Sequence, residues 1–187
     1  YDLKDTSKIT LVDLQFMAAM GPPGGARSSV TLRFTRHFSV VSMNPFSDET
    51  LLKIFNTIVA TYMKMEEYNM EYMGLGLSFV LGTMEVYKGA MANLLPTPNK
   101  SHYVFNLRDF SRVILGVCLI KRNDVIDKTT FIRLWVHEVF RVFYDRLTDD
   151  ADRTWLFSMV TKFVVNNVKF KLDQVFGKLT QPEDNGR

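Results

Sequence analysis

Residues 105–113 read Phe-Asn-Leu-Arg-Asp-Phe-Ser-Arg-Val and place Arg108 at the start of an apolar helix, just after a proline-broken loop. Helix N-termini carry unpaired N–H groups and positive potential, so an arginine there suits an anion. A second pair, Arg33 and Arg36, stands before an expected strand far upstream. A guanidinium at a subunit boundary can neutralise charge on a transferring phosphoryl group, and one supplied in trans raises rates by orders of magnitude. No phosphate-cradling lysine motif lies between the two arginine sites. Together they suggest the sensing part of a nucleotide site whose phosphate loop lies elsewhere. Spacing alone favours the plainer alternative, that Arg33, Arg36, Arg108 and Arg112 are solvated surface arginines.

Other patterns fail on chemistry. The stretch 21–28, Gly-Pro-Pro-Gly-Gly-Ala-Arg-Ser, has Ala26 where a phosphate loop needs its second glycine and Arg27 where it needs lysine. It also leads to an expected strand instead of opening a helix, so a tight loop is the better reading. His137-Glu138-Val139-Phe140-Arg141 lacks the second histidine of a zinc-protease helix, and arginine cannot ligate zinc. Glu138 and Arg141 are expected to pair on a helix face. Asp149, Asp150 and Asp152 lack the spacing, glycine and terminal glutamate of a calcium loop and read as an acidic helix start. The one cysteine, Cys118, sits in an apolar run and reads as a buried thiol. No metal site and no nucleophile–base pair is expected.

The elements that must position these residues follow from periodicity. Residues 9–20 and 37–43 are expected to be strands, separated by the Gly/Pro-rich loop and the basic stretch. Two strands do not make a stable sheet alone, so they want partners that this chain does not supply. From residue 46 onward every apolar repeat is helical. Five helices are expected, over about 48–64, 77–95, 107–121, 128–147 and from about 149, with residues 65–76 a polar, glycine-containing loop. The methionines at 63, 65, 70 and 73 offer an adaptable surface for a partner helix. The tail from 181 is expected to fray. The fold class is therefore mainly α, with a boundary near residue 45.

Composition bounds the function. Of 187 residues 47% are hydrophobic and 13% aromatic, far too apolar for a disordered chain. The net charge is only +3 with signs interleaved, which argues against a nucleic-acid surface. No apolar run reaches the roughly 18 residues of a membrane span. One cysteine fits a reducing compartment. The chain starts on Tyr1 and runs almost at once into an expected strand, which reads as a piece excised from a longer chain.

Four segments together resemble the AAA+ ring of dynein heavy chains: Ala18-Ala19-Met20-Gly21-Pro22-Pro23-Gly24-Gly25, Arg33-Phe34-Thr35-Arg36-His37-Phe38, the run 93–113 from Asn93-Leu94-Leu95-Pro96 to Arg112-Val113, and the run 133–147 from Arg133-Leu134-Trp135 to Asp145-Arg146-Leu147. They are most similar to the third AAA+ module, of axonemal type, over about residues 9–165. The resemblance implies that 1–45 is the C-terminal end of a large α/β subdomain, including its last two strands. It implies that 46–187 is the helical small subdomain, or lid. Walker A and Walker B segments would precede Tyr1, so no catalytic residue is expected within the chain, and the chain alone should not hydrolyse ATP.

The resemblance also assigns roles. Arg108 matches a sensor-II arginine that reaches the nucleotide phosphates of its own module, and Leu107 lines the cleft beside it. Arg33, with Arg36 as competitor, matches an arginine finger serving the preceding module. Met20 and Gly21 fall in the sensor-I region, where a polar asparagine is usual and absent here. ATP or ADP with Mg²⁺ is implied for the intact module and none for the isolated piece. The implied partners are neighbouring AAA+ modules of the same chain, microtubules and other dynein chains, with no nucleic acid and no membrane. The implied setting is cytoskeletal, in a ciliary or flagellar axoneme, and the implied function is a regulatory nucleotide site of a microtubule motor. A helical interaction module without nucleotide is the alternative.

Overall fold

The computed structural model describes residues 1–21 and 29–176. They divide into two compact units, Tyr1–Pro45 and Phe46–Arg187. The loop at 22–28 and the tail from 181, both singled out above, lie outside the described residues.

In the first unit the expected strands at 9–20 and 37–43 are not formed. A strand's N–H and C=O groups need a ladder, and among the described residues no second strand supplies one. The apolar side chains of the first run stay exposed: Ile9 by 50%, Phe16 by 67% and Met17 by 93%. The regular element here is one helical turn, α1, Leu32–Thr35. It is closed by the Arg36 N–H donating to the Leu32 carbonyl and by Phe34 against Phe38, ring centroids 5.3 Å apart.

The second unit is a helical bundle. Helix α2, Asp48–Met65, starts where the Ser47 hydroxyl accepts from the Thr50 N–H and where Asp48 and Glu49 face the positive end of the dipole. Leu51, Phe55, Val59 and Met63, four residues apart, are its buried stripe. Helix α3, Met70–Asn93, is the central element and packs on α2 and, further along the chain, α4, α5 and α6. It therefore buries residues almost all round, including Tyr72, Phe79, Val80, Met84, Val86 and Ala90. The turn between α2 and α3 is only about residues 66–69, shorter than the expected 65–76 loop. Gly74 and Gly76 are inside α3, and Gly76 is there for contact: a Cβ on it would lie 2.9 Å from Val59 Cγ1. A glycine that reads as a loop signal is here the point where two helices approach closely.

Helix α4, Leu107–Val117, α5, Lys128–Val142, and α6, Asp150–Phe163, complete the main bundle. Asp127 caps α5 by accepting from the Thr130 N–H at 2.7 Å. A π-type turn, Val164–Val168, ends α6, and Lys169 at φ 60° reverses the chain into the short α7, Leu172–Phe176. That last element rests on α5, where Arg133 donates from Nε and Nη2 to the Val175 carbonyl at 3.0 and 2.7 Å. The core runs through aromatic rings. Phe79 stacks on Trp135 at 5.6 Å, Trp135 meets Phe163 at 5.3 Å, and Phe79 meets Phe131 edge-on at 5.0 Å.

Candidate functional site: the start of α4

Pro96 and Pro98 stop α3 from continuing, and apart from a short 3₁₀ turn at Pro98–Lys100 the chain is not helical again until Asn106. Asn106 then caps α4: its Oδ1 accepts from the Arg108 N–H at 2.9 Å, and the Asp109 carboxylate accepts from the Asn106 N–H at 3.0 Å. This reciprocal box holds the first turn in one geometry. It also changes the argument from helix N–H groups, since the cap occupies donors that an anion would use. The charged group left facing outward on this turn, one residue past its start, is the Arg108 side chain. It is exposed, and its guanidinium has no hydrogen bond or ion pair among the described residues. Leu107 beside it is half-buried and packs on the core.

The opposite side of the same turn is closed. Asp109 is 4% exposed and lies 3.2 Å from Arg146 Nη1, with Arg112 at 3.7 Å. Arg146 comes from the corner between α5 and α6. Its Nη2 donates to the carbonyls of His102 at 2.9 Å and Val104 at 3.1 Å, and its plane sits 4.8 Å from the Phe105 ring centroid. At the other end of this loop Lys100 pairs with Asp149 and, at 2.7 Å, with Asp152. The Tyr103 hydroxyl donates to Asp152 at 3.0 Å and accepts from the Thr148 N–H at 3.0 Å. The two carboxylates hold the Lys100 ammonium above its ordinary range, and Lys100 holds Asp149 below its own. Segment 98–106 is thus bound along its length to segment 144–152.

Chemically this is an exposed cation, unpaired among the described residues, on a helix end whose backbone is fixed by its cap, with an apolar neighbour. That suits the phosphate end of a nucleotide, where a charge-assisted hydrogen bond would form. Among the described residues no group of three His, Cys, Asp or Glu could hold a metal ion. Arg108 and Leu107 are brought together as consecutive residues. Arg33 lies on α1 and is exposed, and Arg36 at its end donates from Nε to His37 Nε2 at 2.8 Å, so both sit on a helical turn and not before a strand. Met20 and Gly21 are exposed and outside any regular element.

Several readings of side chains change. Arg141 pairs with Asp145, not Glu138, and Glu138 instead covers Gly116, where an added Cβ would lie 2.8 Å from its Cγ. Cys118 is half-buried, and burial pushes its thiol up to about 11. The methionines do not share one surface, since Met63 is 1% exposed in the core while Met65 and Met70 are 79% and 82% exposed. Sequence reading missed Asp109, Arg146 and Lys100. The Asn-Leu-Arg-Asp order, a cap followed three residues later by an acid, was the available signal for Asp109.

Comparison with known proteins identifies the family. A family model of the AAA+ lid domain matches residues 80–181, and one of the P-loop containing dynein motor region matches residues 1–46. Dynein axonemal heavy chain 12 of Mus musculus is 57% identical over 96% of this chain and 6% of its own length. Dynein axonemal heavy chain 3 of Mus musculus is 46% identical over 100% of the chain and 5% of its own length. Dynein axonemal heavy chain 1 of Mus musculus is 41% identical over 78% of the chain and 4% of its own length. The chain thus spans a small fraction of the length of the curated relatives it matches. Its helical bundle and these matches agree: the chain belongs to the AAA+ lid family, joined to a dynein motor region, and its relatives are axonemal dynein heavy chains.

Proposed function

We propose that the chain is the lid-bearing part of the third AAA+ module of an axonemal dynein heavy chain, and that Arg108 reads the nucleotide of that module. Residues 1–45 would be the end of the large subdomain, and residues 46–187 the lid. The observation that carries this is the exposed Arg108 guanidinium on a helix start where Asn106 and Asp109 cap each other and Arg146 pairs with Asp109. ATP or ADP would present phosphate to Arg108 and an apolar face to Leu107. Mg²⁺ would take its ligands elsewhere in the intact module and supply charge neutralisation on the phosphates. Arg33, with Arg36 as competitor, would serve the preceding module as an arginine finger. The sensor-I position at Met20 and Gly21 carries no polar side chain, so a nucleotide-holding, regulatory role suits this module better than fast hydrolysis. Lid motion would pass to neighbouring modules because Arg108 pairs with phosphate in one state only. The protein's setting would be the axoneme of a cilium or flagellum, acting on microtubules.

The test is nucleotide affinity at this module in the full heavy chain. Arg108→Ala should weaken it by about 1.5–3 kcal/mol, the worth of a hydrogen bond to a charged group. Arg33→Ala should leave that affinity unchanged and alter the preceding module's site. Unchanged affinity after Arg108→Ala would show a surface arginine and remove the central inference.

A further inference from the structure

Resting on the nucleotide-sensing role of Arg108, we propose that Arg146 is a positioning residue for it, tying the sensing helix to the corner between α5 and α6. Arg146 is only partly exposed at that corner. It spends its fork on three groups of one short segment: the Asp109 carboxylate at 3.2 Å, and the His102 and Val104 carbonyls at 2.9 and 3.1 Å. Those groups flank Asn106, the residue that decides where α4 begins. Asp109 in turn shares its carboxylate between Arg146, through Oδ1, and the Asn106 N–H, through Oδ2. The chain of contacts therefore runs from Arg146 through Asp109 and Asn106 to the backbone of Arg108.

A planar fork is needed for this. A lysine could neutralise Asp109, but its single nitrogen does not offer the two separate NH₂ groups that here meet the carboxylate and the two carbonyls while the Cζ sits 4.8 Å from the Phe105 ring centroid. The other groups at the corner pull the same way, because Lys100 holds Asp149 and Asp152, and Tyr103 meets Asp152 and Thr148. Any displacement of the first turn of α6 would then be felt at the start of α4. Nucleotide state sensed at Arg108 would equally bias the α5–α6 corner, since coupling between two sites is reciprocal.

A double-mutant cycle in the full heavy chain tests this, with nucleotide affinity at this module as the readout. Arg108→Ala should weaken binding on the order of tenfold to a hundredfold. Arg146→Gln should weaken it on the order of threefold to tenfold in the native background and leave it unchanged in the Arg108→Ala background, because contacting residues in one network are non-additive. Arg146→Lys, which keeps the charge facing Asp109, should fold normally and show a smaller loss with the same non-additivity. It carries the test if the glutamine variant does not fold. Equal losses from the Arg146 variants in both backgrounds would reduce Arg146 to a structural residue and overturn the proposal. So would native affinity in a folded Arg146→Gln or Arg146→Lys protein whose Arg108→Ala counterpart binds weakly; the role of Arg108 would then still stand. Native affinity in Arg108→Ala would overturn both readings.

Discussion

At the scale of single residues, the bundle handles buried polarity by pairing. Thr83 is fully buried at the centre of α3. Its hydroxyl donates to the Phe79 carbonyl at 2.7 Å and accepts from the Trp135 indole N–H at 3.0 Å. Threonine is therefore not a misplaced polar residue but the acceptor that allows a tryptophan to be wholly enclosed. Thr83→Val preserves shape and strands the indole N–H. It should cost about 1–3 kcal/mol, read as a lower denaturant midpoint with unchanged slope. A stability equal to the parent's would mean that the indole finds another acceptor. The same logic explains why Asp109 can be buried beside Arg108: its charge is shared between a cap and two arginines, so the exposed guanidinium is left uncompensated for a ligand.

At the scale of elements, glycine placement on α3 decides how closely its neighbours approach. Gly74 has nothing within 4 Å of where a Cβ would stand. Gly82 would place one 2.5 Å from Phe163 Cε1 and 2.7 Å from Trp135 Cζ2, both rigid rings. Gly74→Ala should raise stability by up to about 1 kcal/mol through helix propensity alone. Gly82→Ala should lower it by about 1–3 kcal/mol through overpacking of α5 and α6 against α3. Thermal unfolding of the two variants side by side should show shifts of opposite sign. Shifts of the same sign would refute the packing argument. Acids at helix starts contribute to the pH dependence. Asp127, the cap of α5, has its carboxyl held below the ordinary 3.8 by the Thr130 side chain and backbone N–H. Glu71 is lowered by Lys128 and Asp149 by Lys100. Depressed acids contribute stability above their unfolded value and lose it as pH falls through the folded one. The melting temperature should therefore be flat near neutrality and fall below about pH 4, the ordinary carboxylate range, with Asp127→Asn reducing the acid slope. A melting temperature that rises on acidification would contradict this.

At the scale of the whole molecule, the two units differ in kind. Phe46–Arg187 holds the apolar core and its aromatic column, whereas Tyr1–Pro45 leaves Leu11, Val12, Leu14 and Phe16 61–70% exposed. Limited proteolysis should remove the first 45 residues well before it cuts within α2 to α6, because cleavage follows local opening. A protected N-terminal fragment beside a rapidly digested bundle would overturn this.

The amino-acid sequence by itself determined the helices that carry their own signals. Ser47 with Asp48 and Glu49, Asn106 before an apolar repeat, Asp127, and the prolines at 96 and 98 mark starts and stops that depend on contacts within a few residues. Arg108 was legible for the same reason, being one residue on from a helix start with a motif around it. Tertiary structure alone decided the rest. Gly76 lies inside α3 with Val59 and Met63 against it, a close contact across two helices that its low helix propensity could not reveal. The strand-like runs at 9–20 and 37–43 stayed irregular because a strand needs a paired neighbour, and among the described residues none is formed, whatever the propensity. Arg146 and Lys100 were invisible because their partners lie tens of residues away, and ion pairs of that kind exist only once helices have packed and brought the two loops together.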